Sequence, residues 1–175
     1  MEVFHEASFE TPMGSMRAVS SAKGLVYVDL PSASGRGLPG WLSRHAPSGR
    51  LLEGFAPNRV AVGQLSEYFE GKREVFNLSL DLRATPFQQD VYEAVAAIPY
   101  GETRSYAEIA EAIGRPSAVR AVGAANGANP LPIVVPCHRV IASGGKLQGY
   151  AGGLELKARL LAMEGAQRPP TDRLL

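Results

Sequence analysis

The chain has 175 residues, 45% of them hydrophobic and 20% charged, with a formal net charge of +1. This globular mixture is long enough for one compact unit or two small subdomains, and its balanced charge confines any nucleic-acid surface to a local face. A single cysteine excludes an internal disulfide and fits a reducing, intracellular setting, while the acid-bearing N-terminus and short apolar runs exclude a signal peptide and a membrane span.

In chain order, "EVFHEASFE" and "MRAVSS" read as strands on either side of the turn "TPMGS", and "GLVYVDL" as a further strand. Residues 31–40, "PSASGRGLPG", are rich in Gly, Pro and Ser and read as a loop. "RVAVGQLSEYFEG" has apolar residues at helical spacing and Gly71 as a stop, and "EVFNLSLDL" alternates as another strand would. Residues 1–85 are therefore expected to form a small N-terminal α/β subdomain with a short antiparallel sheet.

A second region is expected over 86–166, followed by a loose tail over 167–175. Thr85 is a good N-cap, Pro86 suits the first helical position and Gln88 completes a box-like start. Phe87, Val91, Ala94, Val95 and Ile98 form an apolar stripe that Pro99 and Gly101 terminate. Ser105 caps a short helix through Ile113, and after the turn "GRP" a second helix runs from about Ser117 to Asn126. Two short helices joined in this way have the shape of a helix-turn-helix, although an ordinary antiparallel helix pair fits the same pattern. "LPIVVP" then reads as a strand leading to Cys137, "ASGGKLQGYAGG" as a glycine-rich loop, and "LELKARLLAMEG" as a closing amphipathic helix carrying Leu154, Leu160, Leu161 and Met163 and ended by Gly165. The expected class is α/β, with this second, mainly α-helical domain holding the helix-turn-helix. There is no internal repeat.

Cys137 stands directly before His138. A thiol is nucleophilic as thiolate and needs help losing its proton, which an imidazole can give. Consecutive residues point in different directions on regular structure, so a direct pair would require a turn, or a water between the two side chains. A base also needs an orienting partner, and the closing helix offers both Glu155 and Glu164. The alternative is that Cys137 is a small buried hydrophobe.

The stretches "PCHRVI", "IPYGETRSYAEIA", "RAVGAANGANP", "GYAGG" and "LLAMEG" resemble, in order and spacing from Pro86 to Gly165, motifs of the O6-alkylguanine–DNA alkyltransferases, the methylated-DNA–protein-cysteine methyltransferases. The N-terminal half matches more loosely, in "TPMGSM" and "QLSEYFEG". The resemblance implies direct, stoichiometric transfer of an alkyl group from O6 of guanine in DNA, and also from O4 of thymine, onto Cys137. It implies that His138 acts through a water, that Glu164 orients it, and that Tyr106 assists the departing base. It implies that Asn129 ties the second helix to the active-site segment and that Arg120 fills the gap left by an extruded nucleotide. Pro132, Val140, Tyr150, Ala151 and Gly152 correspond to pocket walls.

The implied partner is double-stranded DNA, entered through the minor groove by the second helix, whose small Ala121, Gly123, Ala124 and Ala125 permit close approach. Arg104 is a candidate DNA contact, and Arg115, Arg139, Lys146 and Lys157 would touch phosphates or sit in solvent. The implied protein is a cytoplasmic, prokaryote-like, DNA-associated monomer without cofactor. The three histidines are scattered and the zinc-ligand cysteines of some relatives are missing, so no metal is expected. Tyr92 replaces a tryptophan found in many relatives, which bears on packing, and Ala151 a serine found in some, which removes one possible hydrogen bond. Rival readings are an alkyltransferase-like damage binder that transfers nothing, a helix-turn-helix regulator, and a cysteine hydrolase. Cys137 argues against the first, since that group replaces the cysteine.

Overall fold

The N-terminal hairpin forms where the alternation of apolar residues predicts it. Strand β1 (Val3–Thr11) turns through Pro12 and Met13 into β2 (Gly14–Ser20), with Thr11 opposite Gly14 and His5 opposite Ser20. The Thr11 hydroxyl closes the turn, accepting from the Met13 N–H at 3.1 Å and donating to the Gly14 carbonyl at 2.8 Å. This computed structural model describes residues 1–31, 37–145, 147, 149–150 and 152–166. It has two units, Met1–Arg83 and Ala84–Leu175.

In the first unit β3 (Leu25–Asp29) pairs antiparallel with β2. Helix α1 (Gly37–His45) follows, and β4 (Arg50–Glu53) then adds to the far edge, parallel to β1, in the order β3-β2-β1-β4. The expected antiparallel sheet is thus mixed. Leu38 and Trp41 of α1 complete a core with Phe4, Val19 and Val26, and the Phe4 ring meets Trp41 edge-on at 5.8 Å. The loop expected over 31–40 is corrected at its end, because Gly37 to Gly40 already belong to α1. Positions 32–36 of that stretch lie outside the described residues. Neither α1 nor β4 has a strong sequence signal. Gly and Pro weaken the helix pattern, and no residue of β4 is fully buried, so nothing forces it to alternate.

Helix α2 (Arg59–Phe69) buries Ala61, Val62, Leu65, Tyr68 and Phe69, the predicted stripe, and Gly71 follows it with φ +75°. The strand expected in "EVFNLSLDL" does not form. The segment makes a single bridge, Leu80 to Leu25, with the Leu25 N–H bonded to the Ser79 carbonyl and the Asp81 N–H to the Leu25 carbonyl, both at 2.9 Å. Upstream, the Gln64 side chain takes the Asn77 carbonyl at 3.0 Å and N–H at 2.9 Å, the groups a ladder would have used. Gly24 allows the close approach, since a Cβ there would lie 2.4 Å from the Ser79 oxygen.

The second unit opens with α3 (Pro86–Ala96), started by the expected reciprocal box between Thr85 and Gln88. Strand β5 (Arg104–Ser105) leads into α4 (Tyr106–Ala112), capped by Ser105, which accepts from the Glu108 N–H at 3.0 Å. Helix α5 (Val119–Gly127) packs on both α3 and α4, giving the predicted helix-turn-helix pair. A two-residue strand β6 (Val140–Ile141) pairs parallel with β5, and α6 (Leu154–Met163) closes the unit. The segment 131–136 is not the strand expected. Ile133 has φ +75°, the Val135 N–H returns to the Leu131 carbonyl at 2.8 Å, and Pro132 bridges only to Val135. The tail over 167–175 lies outside the described residues. Among the described residues no helix is long and apolar enough to cross a membrane.

The first unit is pinned by Asn58, which is wholly buried just before α2. Its amide donates to the His5 carbonyl at 3.0 Å and the Gly54 carbonyl at 2.9 Å and accepts from the Ser20 hydroxyl at 2.7 Å. Asn58→Leu leaves the buried Ser20 hydroxyl and the partly buried His5 and Gly54 carbonyls without their partner and is expected to cost about 2–3 kcal/mol of stability in denaturant unfolding.

Candidate active site

The apolar run before the cysteine is a buried knuckle that aims the following turn. Leu131, Ile133 and Val135 are buried, and the chain then enters a single 3-10 turn, Cys137–Arg139, held by bonds from the Cys137 N–H to the Val135 carbonyl at 2.7 Å and from the Arg139 N–H to the Pro136 carbonyl at 2.9 Å. Two asparagines hold this segment, Asn126 within α5 and Asn129 just beyond its end. Asn129 accepts from the Leu131 N–H at 2.9 Å and donates to the Val135 carbonyl at 2.8 Å. Asn126, buried within α5, donates to the Cys137 carbonyl at 3.2 Å. Asn126 was not singled out from the sequence. Its signal is a polar side chain on the face of α5 that also buries Val122 and Ala125.

Glu164 rather than Glu155 meets the histidine. Its carboxylate accepts from His138 Nε2 at 2.7 Å, with both side chains fully buried. The same carboxylate receives Arg139 Nε at 2.8 Å and Nη2 at 3.1 Å, while Arg139 Nη1 donates to the Ile98 carbonyl at 2.7 Å and the guanidinium lies 5.6 Å from the centre of the Tyr100 ring. Arg139 is therefore not the phosphate-facing or solvated residue expected; it is an internal counter-ion. Burial pushes the His138 pKa down, and Glu164 opposes that only in part. A ring that carries its proton on Nε2, toward Glu164, presents its acceptor lone pair on Nδ1.

The thiol has only 5% of its residue surface exposed. Burial pushes the Cys137 pKa up, while a hydrogen bond from the Asn129 side chain, the Lys157 charge and nearby backbone N–H groups pull it down. Tyr106, the first residue of α4, lies close enough for the Cys137 charge to matter; burial and that charge raise its pKa, and a hydrogen bond with Asn126 acts against them. Lys157 also overturns its expected place at the surface: it is wholly buried. The Tyr92 hydroxyl donates to the Ala125 carbonyl at 2.8 Å, so this position links α3 to α5 as well as packing.

The structure brings Cys137, His138, Glu164, Tyr106 and Asn129 together in the second unit. On the outer face of α5, Arg120, Ala121 and Ala124 are exposed and Gly123 is half-buried, whereas Ala125 packs inward. Arg104 pairs with Glu102 at 3.1 Å, and Arg115 lies over the Phe87 ring at 5.6 Å. Of the predicted pocket residues, Pro132 and Val140 are buried, and Tyr150 and Gly152 are half-buried. Ala151 and Lys146 lie outside the described residues.

Comparison with known proteins places this geometry in a family. Residues 86–166 match the family model for the 6-O-methylguanine DNA methyltransferase DNA binding domain. A methylated-DNA–protein-cysteine methyltransferase of Methanosarcina barkeri is 46% identical over 155 residues, covering 89% of this chain and 93% of that protein. One of Mycobacterium tuberculosis H37Rv is 58% identical over 109 residues, covering 62% of this chain; the match spans 66% of the mycobacterial protein, just under two thirds of its length. The crystal structure of Mycobacterium tuberculosis OGT in complex with DNA superposes with a TM-score of 0.80 at 40% identity, covering 97% of this chain and 98% of that one. With a buried Cys–His–Glu site and relatives matched along nearly its whole length, the chain belongs to the methylated-DNA–protein-cysteine methyltransferase family.

Proposed function

We propose that this chain repairs alkylated DNA directly, moving the alkyl group of O6-alkylguanine, and of O4-alkylthymine, onto Cys137 in a single turnover. Residues 86–166 are the unit that binds DNA and carries the chemistry. The observation that carries this reading is the buried Glu164–His138 pair, joined at 2.7 Å, whose histidine follows the one thiol of the chain in sequence. The names of the family relatives and the DNA complex of a 40% identical protein point the same way.

The thiol proton passes through a water to His138 Nδ1, for which Glu164 fixes the ring's tautomer. The sulfur then attacks the alkyl carbon, a carbon–sulfur bond forms, and the carbon–oxygen bond breaks with its electron pair going to the base. Tyr106 supplies the hydrogen bond or proton that makes guanine a better leaving group. The product is a thioether, which water does not cleave under mild conditions. With no second cysteine to take the group away, each molecule reacts once.

A stacked base cannot present its O6 atom to a sulfur inside a protein, so the nucleotide must be extruded, at a cost of a few kcal/mol. Exposed Arg120 near the start of α5, beside exposed Ala121 and Ala124, suits a side chain that enters the duplex while small neighbours admit the minor groove. Pro132, Val140, Tyr150 and Gly152 wall the pocket, and Arg104 adds a backbone contact. The protein acts as a monomer in the cytoplasm, where a lone thiol stays reduced.

Weighing the intact chain after incubation with a duplex carrying one O6-methylguanine tests the reading. One methyl group per molecule, on Cys137, is expected, with none on Cys137→Ala although that variant still binds DNA; an unchanged mass of the native chain sinks the proposal. Arg120→Ala is expected to slow repair of duplex DNA about tenfold or more while leaving the reaction with free alkylated guanine near its native rate; equal losses on both remove the finger role. Tyr106→Phe should slow transfer about a hundredfold with little change in DNA affinity, as single-turnover rates and binding isotherms would report.

A further inference from the structure

Lys157 projects from α6 into the interior with none of its surface exposed. Its ammonium donates to the Val140 carbonyl at 2.7 Å, one residue beyond the Cys137–Arg139 turn, and lies 5.9 Å from the centre of the Tyr106 ring. The charges of Lys157 and Cys137 act on each other: the ammonium draws the thiol pKa down, and the thiolate holds the lysine's up. Tyr106 and His138 also face this group, with Glu164 and Arg139 beyond the imidazole. A methionine would fill the volume of the lysine stem without the cost of burying a charge, so packing does not account for the ammonium.

Resting on the reading of Cys137 as the alkyl acceptor, we propose that Lys157 is the internal counter-charge of the Cys137 thiolate, stabilising the sulfur anion that attacks the alkyl carbon. His138, oriented by Glu164, takes the proton; Lys157 holds the charge that the proton leaves behind. Burial pushes the lysine down to about 8, so the ammonium still predominates near neutrality but sits close to its own titration. Once the sulfur is a neutral thioether, the anion that favoured the protonated amine is gone. Coupling of this kind is reciprocal, so each partner reports on the other.

Lys157→Met tests this, with the pH dependence of iodoacetamide reaction at Cys137 as one readout and methyl transfer from an O6-methylguanine duplex as the other. Losing a neighbouring cation disfavours the anion, so the Cys137 midpoint is expected to move to higher pH by about one unit. Methyl transfer should fall about tenfold near neutral pH and recover as pH rises, with unchanged affinity for the duplex. A midpoint that stays in place, or a loss equal at every pH, overturns the proposal. Should the variant not fold, nitrogen NMR of Lys157 in the native chain serves instead. Methylating Cys137 with a small reagent should lower the lysine's midpoint, and an unchanged midpoint overturns the assignment. The iodoacetamide titration needs no DNA. A native chain that shows the coupling yet takes no methyl group from DNA therefore counts against the alkyltransferase reading alone.

Discussion

The site depends on one buried carboxylate. Glu164 ends α6 and serves two donors at once, the imidazole of His138 and the guanidinium of Arg139. An isolated carboxylate in this interior would be strongly disfavoured, and so would an isolated guanidinium. Together they compensate each other, and the arrangement fixes the orientation of the His138 ring. Arg139 makes a further bond to the Ile98 carbonyl just beyond α3, so the same pair fastens the closing helix, the Cys137–Arg139 turn and the end of α3 to one another.

A second set of restraints acts on the backbone. Apolar side chains push the 131–136 knuckle inward, and Asn126 and Asn129 then take its carbonyls and those of the turn. The backbone of this irregular segment is thereby satisfied without a sheet. That is why a run which looks like a strand folds as a turn: the Asn129 side chain, just beyond α5, supplies bonds that a neighbouring strand would have supplied.

Local signals in the sequence were legible where they act locally. The Thr85–Gln88 box, the Ser105 cap, the helical stripes of α2 and α3 and the two helices before "GANP" need only neighbours in the chain. The motif around Cys137 was legible through its family resemblance, which also separated Glu164 from Glu155. Charged residues were the failure. Lys157 and Arg139 were read as surface groups because such side chains are rarely buried, and only the tertiary arrangement supplies the carbonyls and carboxylate that let them sit inside. Edge strand β4 and helix α1 were missed for the opposite reason, since their place is set by partners distant in sequence rather than by their own pattern.

The grip of Asn126 on the Cys137 carbonyl has a geometric corollary. Arg120 and Asn126 lie on the same short helix, about 9 Å apart along its axis at the usual rise per residue. The Asn126 bond makes α5 and the Cys137 turn one piece: a shift of the helix along its axis carries the Cys137 carbonyl with it, so the outer face that bears Arg120 and the backbone of the thiol keep a fixed spacing.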